Sequence, residues 1–320
     1  FQAIGNSKLT SASGGSLSGA ELVIKVETVS ASPISSAISR QGAVAVGTPA
    51  AFAVYLSVGG YETEMAELDT YVTRSISINA GALKPAEMVV VRYDQAAGEA
   101  VHVPTKVIQS GTRWTFQFQH KGNGDFAVAW KQNASFADMK THWARSAVSL
   151  LAAKFIVDGR AGNRYEPQQA VTRADFAKFI ARGLGLAGDR NEAAKYRDIG
   201  VNHAYAPYIG AASKAGIVQG GTDGRFRPND PITREEMATM MLRAINYTNH
   251  QVSQSTAALS KFADRGQISS WARSGVAASV NAGIIKGVTA TRFAPKKNAT
   301  RAEAAVMIQR LLTYVEFLEK

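Results

Sequence analysis

Apolar positions change their rhythm partway along this chain. Between Glu21 and Trp130 they fall in short β-branched or aromatic runs: Leu22–Val26, Ala51–Leu56, Ser75–Ile78, Met88–Tyr93, Val101–Val103, Arg113–Phe118 and Phe126–Trp130. Gly, Pro, Asn and Asp separate the runs at roughly ten-residue spacing, the rhythm of a β-sandwich. Lys121–Asp125, rich in Gly and Asn, reads as a hairpin turn between the last two runs. From Ser135 the period becomes helical. Ala144, Val148, Leu151 and Ala152 share one face, as do Phe176, Phe179 and Ile180, then Met237, Met240 and Met241, then Ala304, Met307 and Ile308. Residues 1–20, rich in Gly, Ser and Ala, read as a linker.

The helical part repeats. Val171-Thr172-Arg173-Ala174-Asp175 returns 61 residues later around Thr233-Arg234 and 67 residues after that around Thr300-Arg301. In each copy an acid (Asp175, Glu236, Glu303) follows the Thr by three residues and opens an apolar run, so each copy predicts a capping box at a helix start. The Arg is out of place there. A cation beside the positive end of a helix dipole costs several tenths of a kcal/mol, so replacing Arg173 should leave stability unchanged or slightly raised. Three such Arg residues at one position predict a task other than helix stability.

The rest of the unit also recurs. An aromatic and an acid open each copy, ending at Asp138, Asp198 and Asp264, and a helix carrying Trp143, Tyr205 or Trp271 follows. An apolar, glycine-bounded segment then ends at Asp158-Gly159, Gln219-Gly220 or Lys286-Gly287, and an aromatic-x-Pro turn leads to the Thr-Arg helix. The organisation expected is a linker at 1–20, a β-domain at 21–134, and repeats at 135–195, 196–261 and 262–320. The polar, alanine-rich stretches 184–195 and 248–261 would join the repeats.

Charge sharpens this division. Residues 1–135 carry ten basic and ten acidic groups; residues 136–320 carry 26 and 15, so the whole excess of +11 lies in the repeats. A polyanionic partner for that half follows. The basic residues are interleaved with acids and no reading motif accompanies them, which argues against nucleic acid. No apolar stretch approaches the eighteen or so residues of a membrane span. No basic start leads into an apolar core at Phe1, so the sequence reads as a mature fragment or the tail of a longer protein. Cysteine is absent, which removes disulfides and thiolate metal sites.

The order aromatic-x-Asp, Trp helix, Gly-Ile-Val-x-Gly, aromatic-x-Pro, Thr-Arg-Ala-Glu resembles the surface-layer homology (SLH) domain, in three tandem copies over about 185 residues. The resemblance implies an all-α, three-fold pseudo-symmetric prism for the repeats. With the N-terminal all-β sandwich-like domain read from the strand rhythm, the fold expected is multidomain. Residues 1–135 resemble, less specifically, β-rich segments that precede such triplets. It implies anchoring of an exported protein in the cell wall of a Gram-positive bacterium, through an anionic secondary cell wall polymer commonly bearing pyruvate ketals. Tyr205 in place of Trp, Asp175 in place of Glu, and a third repeat without the Asp223-Gly224 turn depart from the pattern, so the grooves between repeats are expected to differ.

On this reading Arg173, Arg234 and Arg301 are candidate carboxylate clamps, helped by the helix amides beside them; the plainer alternative is a solvated Arg paired with a nearby acid. Trp143, Tyr205 and Trp271 either stack on a sugar face or pack in the core. Asp138, Asp198 and Asp264 read first as helix caps and second as polymer contacts. Gly159, Gly220 and Gly287 read as structural, while also allowing a glycan close to the backbone; Gln219 and Lys286 stand beside them as further polymer candidates. The five His residues are scattered without ligand spacing, and Gly224, Arg225 and Arg227 spoil a calcium loop at Asp223–Asp230, so no metal or cofactor is expected. No nucleophile elbow is present, and no enzyme is expected in this chain. Glycosidase acids have no local signature, so a carbohydrate-active enzyme or carbohydrate-binding module in residues 21–132, tethered by the triplet, is the alternative.

Overall fold

The computed structural model describes residues 18–29, 32–79, 87–131 and 135–319. The linker expected at 1–20 lies almost wholly outside them. The chain divides into two compact units, residues 1–132 and 133–320.

The first unit is a sandwich of two antiparallel sheets. Its strands are β1 (Glu21–Thr28), β2 (Val44–Val58), β3 (Tyr61–Glu64), β4 (Glu67–Asn79), β5 (Met88–Asp94), β6 (Glu99–His102), β7 (Thr105–Ser110), β8 (Arg113–Gly122) and β9 (Gly124–Trp130). The larger sheet runs β1-β2-β9-β5-β6 with β3 added to β2, and the smaller runs β4-β8-β7. Phe52 and Phe126 of the larger sheet meet Phe118 of the smaller, with ring centroids 4.8–5.7 Å apart and two of the three pairs edge-to-face. Burying that many aromatics is the main stabilising term of the sandwich.

Two features depart from the strand rhythm. Helix α1 (Ser32–Arg40), whose Ile34, Ala37 and Ile38 recur at helical spacing and are buried, packs on β2, β5, β6 and β9. With a sheet on one side and a helix on the other, the central strands are buried on both faces. That explains why Met88–Val91 and Phe126–Ala129 are continuous apolar runs rather than alternating ones. Second, Lys121–Asp125 is not a hairpin. β8 pairs only within the small sheet and β9 only within the large one, so the chain changes sheets at Asn123. Asn123 holds the crossing by accepting from Val54 N–H (3.0 Å) and donating to Glu64 (3.0 Å).

A polar cluster is sealed beside this crossing. Arg92 and Asp94 form a buried pair at 2.6 Å, and Arg74 donates to the carbonyl of His120 at 3.0 Å. Burial, and then the charge of Arg92, push the pKa of His120 down to about 3. A histidine held neutral in the fold but free to protonate when unfolded makes stability fall as pH drops from about 6.5 towards 3. The expected loss is up to about 4 kcal/mol across that window. Denaturant titrations of residues 18–131 at several pH values, against His120→Gln, measure it: the variant should show the smaller acid slope, and parallel slopes would refute the assignment.

The second unit is helical and cyclic. Each repeat supplies a shorter helix, namely α2 (Arg145–Ala153), α4 (Ala206–Lys214) and α6 (Arg273–Asn281). Each also supplies a Thr-Arg helix, namely α3 (Arg173–Gly183), α5 (Arg234–Tyr247) and α7 (Arg301–Tyr314). The shorter helix of one repeat packs on the Thr-Arg helix of the preceding one: α4 on α3, α6 on α5, and α2 on α7. The last contact closes the circle. At its centre three amides hydrogen-bond in a ring: Val171 N–H to Ala299 O (3.0 Å), Ala299 N–H to Ile232 O (3.0 Å) and Ile232 N–H to Val171 O (3.1 Å). This is the three-fold prism that the resemblance implied.

Candidate functional site

The three Thr-Arg helices begin at this ring, and their first turns are fully satisfied. The side chains of Thr172, Thr233 and Thr300 accept from the amides of Asp175, Glu236 and Glu303. Glu236 and Glu303 reach back to complete the capping box, but Asp175, one methylene shorter, does not. The two amides ahead of these go to the following repeat: Arg173 and Ala174 N–H to Asp230 and Pro228 O, Arg234 and Glu235 N–H to Lys297 and Pro295 O, Arg301 and Ala302 N–H to Gln169 and Pro167 O, all at 2.8–3.1 Å. The helix amides expected to assist an anion are therefore taken.

The Arg side chains point the same way. Arg173 donates through Nε to Phe226 O (2.8 Å), through Nη2 to Gln219 O (3.1 Å) and through Nη1 to Glu236 (3.2 Å). Arg234 reaches Phe293 O (2.9 Å) and Lys286 O (2.6 Å), with Glu303 at 3.7 Å. Arg301 reaches Tyr165 O (2.9 Å), Asp158 O (2.9 Å) and Asp175 (3.4 Å). Each guanidinium also lies over the aromatic ring of the turn it grips, 4.6–5.1 Å from the centroid. These are neither solvated surface pairs nor free clamps; they bolt each repeat to the next. Arg234 and Arg301 are 2% exposed, and burial lowers the pKa of Arg234, while Arg173 is partly open. The expectation that replacing Arg173 spares stability is thereby reversed, because the side chain turns away from its own helix end.

Asp138, Asp198 and Asp264 are not helix caps. Each carboxylate accepts two amides from the aromatic-x-Pro turn 27–30 residues later: Tyr165 and Glu166, Phe226 and Arg227, Phe293 and Ala294, all at 2.7–2.9 Å. The middle residues Glu166, Arg227 and Ala294 are left-handed, with φ of 58–60°, a conformation costing about 1–2 kcal/mol without glycine. The paired amide bonds hold it. Partial burial works against the charge, yet those bonds outweigh it and keep all three carboxyls below their ordinary range.

Gly159, Gly220 and Gly287 pack on their own repeat. A Cβ there would lie 2.4–2.7 Å from the opening ring of Phe136, Tyr196 or Phe262, so packing alone requires glycine. The aromatics behave differently. Trp143 is 63% and Trp271 58% exposed, which removes core packing for both. Tyr205 is half-buried, its hydroxyl donating to Asp175 at 2.7 Å.

A groove of about 690 Å³ brings several candidates together: Trp271, Arg173, Gln219 and Gly220, with Glu236, Met240 and Arg243. Three repeats contribute to it. Arg243 was not singled out from the sequence, although a signal exists, since Arg182, Arg243 and Arg310 each follow the Thr-Arg arginine by nine residues. Arg243 donates to the Gln219 side chain (2.8 Å) and Arg310 to Ile284 O (3.3 Å). Among the described residues no cluster of His, Cys, Asp and Glu is suited to a metal ion.

The family match falls within this half of the chain, while the similarity to one relative reaches beyond it. The S-layer homology domain model matches residues 135–177, 195–238 and 261–305. The chain carries three S-layer homology domains. Similar proteins include an amylopullulanase of Thermoanaerobacterium thermosulfurigenes (38% identical over 71% of this chain and 12% of its own length) and the exoglucanase XynX of Acetivibrio thermocellus (40%, 57% and 16%). An S-layer protein of Bacillus thuringiensis subsp. finitimus is 33% identical over 55% of this chain and 21% of its own length. The chain thus spans about an eighth to a fifth of such relatives. The SLH triplet places it at the cell surface, anchored in the wall of a Gram-positive type of cell. No described helix is long and apolar enough to cross a membrane.

Proposed function

We propose that the triplet anchors the chain by binding an anionic secondary cell wall polysaccharide through a carboxylate-bearing sugar such as a pyruvate ketal. The groove with Trp271 is the principal site. One observation carries this reading: an exposed indole and two arginines from three different repeats, Trp271, Arg173 and Arg243, line one open groove. A flat apolar ring suits a sugar face, and the Arg173 and Arg243 hydrogens left over after Phe226, Gln219, Glu236 and Ile217 are bonded suit a carboxylate. The fixed positions of Arg173 mean that the ligand meets a site already ordered, with little entropy left to lose. Binding without turnover is the activity proposed, and the β-sandwich has no part in it.

Trp271→Ala tests this without disturbing the fold, because the ring is largely exposed. Titration calorimetry with a pyruvylated wall-polymer fragment should show affinity falling roughly tenfold, about 1.4 kcal/mol, at an unchanged melting temperature. A fragment stripped of its ketal should bind weakly to both proteins. Equal affinity of wild type and variant would remove the groove from the reading.

A further inference from the structure

The cyclic packing sets positions equivalent to the Trp271 groove beside Tyr205 (the Tyr205 groove) and beside Trp143 (the third groove), yet the side chains at the three places are not equivalent. Where the Trp271 groove has Gln219, Gly221 and Thr239, the Tyr205 groove has Asp158, Arg160 and Lys178 at the corresponding places. Those three substitutions form a closed set. The Asp158 carboxylate accepts from Arg182 at 2.7 Å and from Lys178 at 2.8 Å. Arg160 binds Asp175 at 2.7 Å, and Asp175 also takes the Tyr205 hydroxyl and Arg301. Arg182 is the counterpart of Arg243, the cation of the open groove, and here it is 2% exposed beneath Asp158. The Asp158 side chain itself remains 44% exposed, so it lies in front of that cation, on the side from which a ligand would arrive.

Resting on the polymer-binding reading above, we propose that Asp158 is an internal carboxylate standing where a ligand carboxylate would stand, and that the Tyr205 groove is thereby closed to the wall polymer. An incoming anion must displace a carboxylate already held by two cations, and the displaced Asp158 would then repel it. At Arg243 the Trp271 groove demands neither step, because Gln219 offers that cation a neutral oxygen. Its own acid, Glu236, stands on Arg173 just as Asp175 stands on Arg301 in the Tyr205 groove, so the two grooves differ at the Asp158 position. In the third groove neither Lys286 nor Arg310 has a carboxylate partner among the described residues, so it too is free of this block. Asp158 therefore sets how many grooves bind, without touching the ligand.

The test uses the whole chain and two probes. The first is a pyruvylated wall-polymer fragment, titrated calorimetrically into wild type, Asp158→Gln and the triple variant Asp158→Gln, Arg160→Gly, Lys178→Thr. Stoichiometry should rise by one equivalent in the variants; an unchanged stoichiometry in both, with intact melts, overturns the proposal. The second probe is sodium pyruvate against sodium chloride at equal ionic strength. Asp158→Gly leaves Arg182 without its carboxylate and should melt roughly 5 °C lower, with pyruvate restoring part of that shift and leaving wild type unmoved. No selective recovery by pyruvate would overturn the proposal as well. Selective recovery in a protein that binds no fragment at all would support the role of Asp158 while refuting the polymer reading.

Discussion

Arg301→Ala should lower the melting temperature of residues 133–320 by roughly 10 °C. The guanidinium is 2% exposed, bonds two carbonyls and one carboxylate of the first repeat, and covers the ring of Tyr165. Alanine leaves the carbonyls of Tyr165 and Asp158 without that donor, and Asp175 without one of its cations. Breaking one side of a buried charge network costs about 3–5 kcal/mol, and a unit of this size shifts about 2–4 °C per kcal/mol. Arg301→Lys should recover little, since an ammonium cannot span three acceptors lying in the plane of a guanidinium. Arg234→Ala should cost nearly as much, and Arg173→Ala clearly less, because its side chain is 13% exposed where that of Arg234 is 3%. Calorimetric melts of the three alanine variants give the order directly. An Arg301→Ala protein melting within a degree or two of wild type would show that the inter-repeat bonds carry no net stability.

That expectation runs opposite to the one the sequence supports, and the reason is instructive. A helix N-terminus is legible locally: Thr172, Thr233 and Thr300 are found as caps because cap and acid sit three residues apart. What an Arg at the next position touches is not local. Its acceptors are backbone carbonyls of another repeat, and backbone carbonyls have no sequence signature. The same holds for Asp138, Asp198 and Asp264. Their proximity to helix starts suggests capping, whereas their partners are amides 27–30 residues onward, in turns strained enough to need holding. Helix α1 was hidden for a different reason: nine residues carry only three apolar positions, Ile34, Ala37 and Ile38, within a Ser-rich stretch. The groove was legible only in part. Trp271, Arg173 and Gln219 stand out as repeated positions, but their convergence requires the circular packing of three repeats. The inequality of the grooves, by contrast, was present in the sequence as Asp158, Gln219 and Lys286 at one aligned position. Its meaning depends on Arg182 and Lys178, which the fold alone brings against Asp158.

Removing the third repeat should abolish cooperative folding of the other two rather than trim the molecule. Helix α7 contributes buried Ala302, Ala304, Met307, Ile308, Leu311 and Leu312, and packs on both α2 and α3. Without it, α2 loses the helix on which it rests, and the ring of amides opens at Ala299, leaving Val171 N–H and Ile232 O without partners. Arg234 loses Phe293 and Lys286, so a buried cation would face water or an apolar gap. In an open solenoid, repeats contact only their neighbours and a terminal deletion removes one interface; in a closed ring it removes two. At about 25 cal/mol per Å², newly exposing about 600 Å² of apolar surface would already offset the stability of a typical domain, about 5–15 kcal/mol. A chain ending at residue 261 should therefore keep its β-sandwich transition while the repeats lose theirs, bind a hydrophobic dye, and associate. Differential scanning calorimetry with sedimentation velocity separates the cases. A truncated protein that stays monomeric, with a sharp second transition near that of the full chain, would mean that two repeats suffice and the ring closure is dispensable.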